Sequence, residues 1–327
     1  MLPSGIGLIK KAWLEKVPYV SLTPQDGRTV SLLPYFDEKE GRFKQPLPTN
    51  DGIIFAKGTP EQGPYYARSP VDDKRDVYIK LVDYTTRFFS FVSTMEILIG
   101  IERDILNCSS VVEKYFIFLD RFRAGKNALI ANLVMTDIEF LFSNVRSLYD
   151  SLQTITRDIF KQLGSGKSKN LPQDYYGMAK LDDNEIRSRY GLSDALIGFY
   201  ASTRDFFLEC RKIRGGFQHQ RIDVPVIFSL DEGFALQKHS PFYKDPLTSA
   251  FDIWPPEKTK ENGLVSVLAL ISHVNKTVMA HMNSLSEALV SSLSVPSPVV
   301  KDFVVFLRGP HTNHLRKSAE YLEKQWV

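Results

Sequence analysis

The sequence predicts a mostly α-helical protein: a helical bundle with an extended N-terminal arm and a small inserted β-hairpin. Three observations indicate this fold class. Residues 126–163 repeat apolar side chains at the 3.6-residue spacing of a buried helix face. Residues 76–107 contain no proline and repeat apolar positions at a similar spacing. Residues 1–75 instead contain recurrent prolines between short extended pieces, and this spacing allows no long helix.

The composition places the chain among globular proteins. It has 327 residues, of which 43% are hydrophobic and 24% are charged, enough for a substantial buried core. The formal net charge of +3 neither requires nor excludes a nucleic-acid partner. Two cysteines, Cys108 and Cys210, cannot make a disulfide framework, so we expect reduced thiols. The N-terminus does not resemble a signal peptide and no apolar run is long enough to span a bilayer, so we expect a cytoplasmic protein without membrane contact.

The pattern divides the chain into three parts. We expect residues 1–75 to form the arm, packed on the body, and residues 76–293 to form the helical domain. Residues 294–327 are expected to contain two short helices, over 300–307 and 312–325. Within the helical domain, residues 107–110 read Asn-Cys-Ser-Ser and predict a break, because serine is a common N-cap.

The middle of the helical domain contains a glycine-rich segment that invites a phosphate-loop interpretation. Residues 164–168 read Gly-Ser-Gly-Lys-Ser, but Lys161 occupies the position where that signature needs its first glycine. The segment also follows a helix rather than a strand. We therefore interpret residues 164–190 as a polar connection, with the glycines ending the preceding helix.

Two more helices and the hairpin complete the predicted domain. One helix is expected from Ser193, its N-cap, to Ile213. The hairpin is expected near residues 223–238, where two apolar stretches flank an Asp-Glu-Gly turn. The last long helix is expected over residues 263–293.

The chemistry of the chain is concentrated in residues 210–221, which read Cys-Arg-Lys-Ile-Arg-Gly-Gly-Phe-Gln-His-Gln-Arg. On a continuous helix Arg214 and His219 would point about 140° apart. Gly215 and Gly216 can break the helix and let these side chains converge, or two copies of the chain can build a composite site. Because histidine exchanges protons near pH 7 and a guanidinium binds phosphate, the pair suits metal-independent phosphodiester cleavage by a ribose 2′-hydroxyl.

Five other side chains are candidates for this site. Arg211 and Arg221 could contact phosphates, and Phe217 could stack on a base. The alternative is a solvated basic face at the C-terminus of a helix. On the preceding long helix, Asp150 and Arg146 are supporting candidates, since the carboxylate could orient a cation. The alternative there is a solvated ion pair between residues four apart.

The Arg-x4-His spacing of residues 214–219, behind a long helix that contains an acidic residue, resembles the motif of the HEPN superfamily. Gly215 departs from that motif, in which Asn, Asp or His is frequent. The resemblance covers residues 126–222, with residues 263–292 as a further segment that could belong to it. It implies a helical bundle, a homodimer with facing motifs, and an RNA-binding protein or metal-independent endoribonuclease of a defence or toxin–antitoxin type. Arg214 would stabilise the phosphate, and His219 would act as general acid and base, with no metal or cofactor.

Two other functions stay open. Many HEPN members act only as interaction modules, so the chain could be a non-catalytic helical interaction protein. His273 and His281 lie eight residues apart on the last long helix and could flank a groove for haem or a small molecule. His311 and His314 precede a short helix, but the neighbouring sequence offers them no carboxylate, so we expect no metal site there.

Overall fold

The computed structural model describes residues 11–20, 27–125, 127, 129–218, 226–238, 246–295 and 302–327. These residues form ten α-helices, two short 3₁₀ turns and nine strands, and the strands are arranged in two sheets. The prediction of a mostly α-helical bundle is therefore wrong, because a six-stranded mixed sheet and a three-stranded sheet accompany the helices.

The N-terminal part supplies most of the larger sheet and is not an extended arm. Its elements are α1 (Lys11–Leu14), β1 (Tyr35–Asp37), β2 (Arg42–Pro48), β3 (Ile53–Lys57), β4 (Gly63–Ala67) and β5 (Asp76–Tyr78). The strands β1, β2 and β3 pair as an antiparallel meander. Residues 53–57 are thus a strand as the short extended pieces predict, whereas residues 27–34 form no strand.

Six helices follow in the middle of the chain. They are α2 (Lys80–Phe88), α3 (Val92–Gly125), α4 (Ile130–Leu163), α5 (Tyr175–Ala179), α6 (Asp183–Tyr190) and α7 (Asp194–Gln218). The helix expected over residues 126–163 is confirmed as α4, which ends immediately before Gly164. The connection over residues 164–190 contains a 3₁₀ turn, Gly166–Asn170, as well as α5 and α6.

The break predicted at residues 107–110 is wrong, because α3 runs through it without interruption. The hydroxyls of Ser109 and Ser110 donate to the carbonyls of Leu106 and Asn107, each at 2.8 Å. Serine can satisfy its hydroxyl inside a helix in this way, so it does not need to act as a cap. α3 is consequently a single helix of 34 residues, about 50 Å long.

The break predicted at Gly215 and Gly216 is also wrong. α7 continues through both glycines to Gln218. A Cβ atom added at Gly215 would meet no atom within 4 Å, and Gly215 does not have a positive φ. The two glycines therefore extend the helix by at least one turn beyond Ile213, where the sequence suggested its end.

The C-terminal part contains β6 (Phe228–Leu230), β7 (Gly233–Gln237), α8 (Pro246–Ala250), β8 (Leu264–Ser266), α9 (Val267–Ser292), β9 (Val304–Arg308) and α10 (Asn313–Lys324). A second 3₁₀ turn, Pro256–Lys258, lies between α8 and β8. β6 and β7 pair antiparallel where the hairpin is predicted, and β8 adds a third strand beside β7. The short helix predicted over residues 300–307 is instead the strand β9.

The larger sheet has the strand order β3-β2-β1-β4-β9-β5. Neighbouring strands are antiparallel except for β1 and β4, which are parallel. β9 lies between β4 and β5, so the C-terminal region completes a sheet that the N-terminal region begins. The two faces of β9 differ: Val305 and Leu307 join the main core, while Phe306 packs on Phe43 and Tyr65 in a separate aromatic cluster.

The four long helices α3, α4, α7 and α9 form the main core. α3 lies along α4, α7 contacts both α4 and α9, and α2 and α10 pack on α9. α2 also contacts β9, and α10 contacts β5, so these two helices connect the sheet to the helical core. Within the described part of the chain, no helix has both the length and the apolar character required to cross a bilayer.

Candidate functional site

The antiparallel packing of α4 and α7 brings together four of the residues that the sequence singles out. Gln153 of α4 accepts a hydrogen bond from Tyr200 of α7 at 2.8 Å, and earlier on α4 the ring of Tyr149 lies 5.3 Å from Phe207. The preceding turn of α4 therefore faces the C-terminal half of α7. We call the resulting group the arginine cluster, and it consists of Arg146 and Asp150 from α4 with Arg211 and Arg214 from α7.

Arg214 is a half-buried cation of the arginine cluster. Its Nε is buried and has no hydrogen-bond partner among the residues that the structure describes. Burial lowers the pKa of Arg214, as do the positive charges of Arg146 and Arg211, while Asp150 partly offsets them. A guanidinium stays protonated despite such a shift. Arg214 is thus a permanent cation, and its buried Nε leaves one donor unused at a cost of roughly 1–3 kcal/mol.

Asp150 is the single carboxylate of the arginine cluster, and it has two contacts. Its Oδ2 lies 3.7 Å from Nε of Arg146, a loose pair four residues apart on α4. Its Oδ1 accepts a hydrogen bond from the backbone N–H of Tyr175 at 3.1 Å. Arg146, Arg211 and Arg214 thus carry three positive charges against the one negative charge of Asp150, so the arginine cluster has a net positive charge.

α5 closes one side of the arginine cluster. Tyr175 is fully buried, and its hydroxyl is hydrogen-bonded to Thr203 of α7. Its neighbour Tyr176 points outward, and Cζ of Arg211 lies 3.8 Å from the centroid of the Tyr176 ring. Arg211 is thereby held over an aromatic ring at the edge of the cluster.

The remaining residues of the predicted site lie apart from this group or outside the described residues. Phe217 is partly buried and packs against the hydrophobic core, so its ring contributes to folding and is a poor candidate for base stacking. His219 and Arg221 both lie outside the described residues. A continuous helix through Gly215 and Gly216 does not bend the chain before Gln218, so convergence of Arg214 and His219 cannot come from a break at the glycines.

His281, a candidate for a haem or small-molecule site, is held by Tyr149. The Tyr149 hydroxyl forms a hydrogen bond with Nδ1 of His281, and the ring of Phe206 lies 5.5 Å from the imidazole. Burial lowers the pKa of His281 to about 4, with a smaller contribution from His273. The imidazole of His281 is therefore neutral at pH 7.

The hydrogen bond with Tyr149 also determines the tautomer of His281. Tyr149 is buried, burial raises its pKa well above the ordinary value, and its hydroxyl has no other partner in the described part of the chain. The phenol must therefore donate its hydrogen to Nδ1, since a buried donor without an acceptor is costly. Nε2 of His281 then carries the remaining hydrogen and offers no lone pair to a metal. This arrangement argues against His281 as an axial haem ligand.

His273 also contacts Phe206, with 6.0 Å between the two ring centroids. Its ring is also 5.5 Å from Phe251, and burial lowers its pKa, helped by Lys276. Both histidines of α9 thus contact the ring of Phe206, and neither belongs to a group of three possible metal ligands among the described residues. That they flank a common groove stays a prediction.

A second histidine cluster has a carboxylate that the sequence does not reveal. Nε2 of His314 lies 2.8 Å from Oε2 of Glu113, and Nδ1 of His311 lies 3.4 Å from the same oxygen. Tyr321 contacts Nδ1 of His314 at 2.9 Å. Burial lowers the pKa of His314, and Glu113 only partly offsets this. Glu113 is 201 residues away from His314, so no local pattern could have found it.

Among the residues described, no three His, Cys, Asp or Glu side chains are arranged to hold a metal ion, and this includes Glu113 with its two histidines. Cys108 and Cys210 are both buried and unpaired. Comparisons of the chain with protein-family models, with curated proteins and with solved structures found no match. The arginine cluster is therefore interpreted from its own geometry.

Proposed function

We propose that the chain binds single-stranded RNA at the arginine cluster and cleaves it without a metal ion. The observation that carries this proposal is the excess of cations: Arg146, Arg211 and Arg214 lie near one another, and Asp150 supplies the one carboxylate of this group. Phosphate oxygens are strong acceptors whose geometry matches a guanidinium. A phosphodiester bound at the guanidinium groups would neutralise the mutual repulsion of the three arginines.

The proposed reaction is an internal transfer of the phosphate. The ribose 2′-hydroxyl attacks the adjacent phosphorus, the bond to the 5′-oxygen breaks, and the products are a 2′,3′-cyclic phosphate and a 5′-hydroxyl. His219 removes the proton of the 2′-hydroxyl as general base, and a histidine returns a proton to the departing 5′-oxygen. Arg214, with Arg146 beside it, stabilises the negative charge that grows on the phosphate oxygens. A homodimer with facing sites would provide the second His219.

The test is cleavage of an end-labelled single-stranded RNA in the presence of EDTA. We expect the wild type to cleave, and we expect His219→Ala and Arg214→Ala each to lower the rate by at least about 100-fold, which is typical for loss of an acid–base group or of transition-state charge stabilisation. Arg189→Ala is the matched control, because Arg189 is an exposed arginine paired with Glu185 at 2.7 Å on α6. This control should cleave like the wild type.

The outcomes separate the proposed activities. Equal, background-level cleavage by wild type and His219→Ala would show that the chain is not a ribonuclease. RNA binding that weakens in Arg214→Ala would then support an RNA-binding protein without catalysis. Wild-type protein that neither binds nor cleaves RNA would favour the non-catalytic helical interaction module.

We place this activity in the cytoplasm. Unpaired cysteines are usual in a reducing compartment, and both cysteines of the chain are free and buried. Fractionation of cells that produce the tagged protein would test this location, and a secreted or membrane-bound pool would contradict it.

A further inference from the structure

Arg211 and Tyr176 form a flat, partly exposed surface beside the arginine cluster. With Cζ of Arg211 only 3.8 Å from the ring centroid, the guanidinium lies directly over the tyrosine. Tyr176 nevertheless leaves 37% of its surface exposed. We call this pair of side chains the Arg211–Tyr176 platform.

Within the described part of the chain, Arg211 differs from the other cations that lie over aromatic rings. Each of those cations also has an ion pair with a carboxylate, whereas Arg211 has none among the residues that the structure describes. The comparison set is Arg68 with Glu38, Arg87 with Asp83, Lys114 with Asp137, Lys260 with Glu232, and Arg308 with Asp76. The platform therefore retains a full positive charge and a planar donor group.

The platform is also held rigidly. The backbone N–H of Tyr175 is fixed by Asp150 at 3.1 Å, and the Tyr175 hydroxyl is fixed by Thr203. Tyr176 is the next residue of α5, so these two bonds fix the backbone beside it. Because Asp150 also belongs to the arginine cluster, the platform and the cluster share one supporting carboxylate.

We infer that the Arg211–Tyr176 platform stacks a base of the same RNA strand whose phosphate lies on Arg214 and Arg146. This inference rests on the proposed function and adds a base-binding position to it. Bases of single-stranded RNA stack on aromatic rings and on the planes of guanidinium groups, and such stacking tolerates any base. Since Arg211 and Arg214 lie about one helical turn apart on α7, a single nucleotide can reach both.

The experiment titrates the protein into a short single-stranded RNA that contains one 2-aminopurine, whose fluorescence falls when it stacks. Wild type should quench the fluorescence. Tyr176→Leu should lose the quenching and bind roughly tenfold more weakly, the loss expected for one stacked base. Tyr176→Phe should restore both, because it keeps the ring. Phe140→Leu, which changes the aromatic partner of Lys114 on another surface, is the matched control and should behave as the wild type.

The salt dependence distinguishes stacking from phosphate contact. Tyr176→Leu should keep the wild-type slope of log affinity against log salt concentration. Arg214→Ala should reduce the magnitude of that slope by about one, the change expected when one phosphate contact is lost. Binding of inorganic polyphosphate, which has no bases, should be the same for wild type and Tyr176→Leu. A DNA strand of the same sequence should also be stacked, because the platform contacts no 2′-hydroxyl.

Two results would overturn the inference in different ways. If Tyr176→Leu folds normally, binds the RNA like the wild type and still quenches 2-aminopurine, the platform only joins α5 to α7, and RNA binding by the arginine cluster stands. If the wild type binds neither RNA nor polyphosphate, the stacking inference and the proposed function fail together.

Discussion

Asp76 and Arg308 form a bidentate, buried ion pair that joins two neighbouring strands of the larger sheet. Nε of Arg308 lies 2.7 Å from Oδ1 of Asp76, and Nη2 lies 2.9 Å from Oδ2. Tyr65 donates a further hydrogen bond to Oδ2 at 2.7 Å. Burial opposes ionisation of Asp76, but these hydrogen bonds outweigh it and hold the pKa of Asp76 below its ordinary value.

Replacement of one partner of this pair should be strongly destabilising. Arg308→Met leaves Asp76 as a buried charge without its partner, and we expect a loss of about 3–5 kcal/mol in the free energy of unfolding. The measurement is urea unfolding at pH 7. Arg68→Ala, which removes an exposed pair with Glu38 at 3.2 Å, should change stability by less than about 0.5 kcal/mol. A loss below about 1 kcal/mol in Arg308→Met would contradict the role assigned to the pair.

Glu102 should make the protein less stable as the pH rises. This carboxyl on α3 is only 9% exposed, and burial raises its pKa to about 7. Because the folded state holds the proton more tightly than the unfolded state, stability falls between pH 4.5 and pH 7 and stays reduced above pH 7. Glu102→Gln removes this penalty, so we expect it to be more stable than the wild type by about 2–3 kcal/mol at pH 8 and similar at pH 4.5. Equal stabilities at pH 8 would disprove the assignment.

His281 should make the protein less stable as the pH falls. Its pKa of about 4 in the folded protein lies below its ordinary value of 6.5. The unfolded state therefore binds the proton first, and the contribution of His281 to stability is complete above pH 6.5 and declines as the pH falls towards 4. Nuclear magnetic resonance of ¹⁵N-labelled histidine should show a neutral Nε2–H tautomer at pH 7. An Nδ1–H tautomer, or titration near pH 6.5, would contradict the hydrogen bond donated by Tyr149.

Gly215→Ala should stabilise the protein. Gly215 lies inside α7 with open space around its Cα, so an alanine fits and lowers the conformational entropy of the unfolded chain. We expect a gain of about 0.5–1 kcal/mol, measured by urea unfolding. Gly191→Ala is the contrasting control, because Gly191 caps α6 with a φ of 63°. It should lose about 1 kcal/mol. A destabilised Gly215→Ala would indicate that the helix does bend at this glycine.

Asp150→Asn should strengthen RNA binding by the arginine cluster. The substitution removes the only carboxylate of the cluster but keeps an oxygen that can accept the hydrogen bond from Tyr175. A partly exposed ion pair such as that of Arg146 with Asp150 contributes about 0.5–1 kcal/mol. Because RNA binding would no longer compete with this pair, the affinity should rise roughly threefold. Fluorescence anisotropy with a labelled single-stranded RNA measures it. Asp120→Asn on α3 controls for the change in net charge and should leave the affinity unchanged. Weaker binding in Asp150→Asn would show that the carboxylate orients the cations and does not merely repel the ligand.

The helices were the more predictable part of the fold, because their signal is local. The apolar repeat of α4 lies entirely within one stretch of 34 residues, and its end at Gly164 follows from the glycine. The errors inside helices came from residues that usually end them. Ser109 found an acceptor at the carbonyl of Leu106, and Gly215 kept a helical conformation, so neither residue acted as a terminator.

The larger sheet was not predictable in the same way. β9 reads Val-Val-Phe-Leu-Arg, an apolar run without a clear helical or alternating pattern. Its identity as a strand depends on β4 and β5, whose residues are more than 200 positions earlier. Pairing over such a distance leaves no local trace in one sequence. The contact between His314 and Glu113 was missed for the same reason.

The arginine cluster was predictable in part. The sequence singled out Arg146, Asp150, Arg211 and Arg214, and the structure brings these four residues to one place. The sequence did not indicate Tyr176, because the residues of α5 lie in a stretch that reads as a polar connection. Tyr176 becomes part of the site only through the contact of Arg211 with its ring.

The position of β9 between β4 and β5 has a consequence for synthesis of the chain. A ribosome adds the 232 residues between Asp76 and Arg308 at roughly 5–20 residues per second, so Asp76 waits on the order of 10–50 s for its partner. During this interval β9 does not yet exist, so neither β4 nor β5 is paired with it, and the open edge of each can recruit another nascent chain. Ribosome pausing or truncation before Val304 should therefore promote aggregation, even when the long helices have already been made.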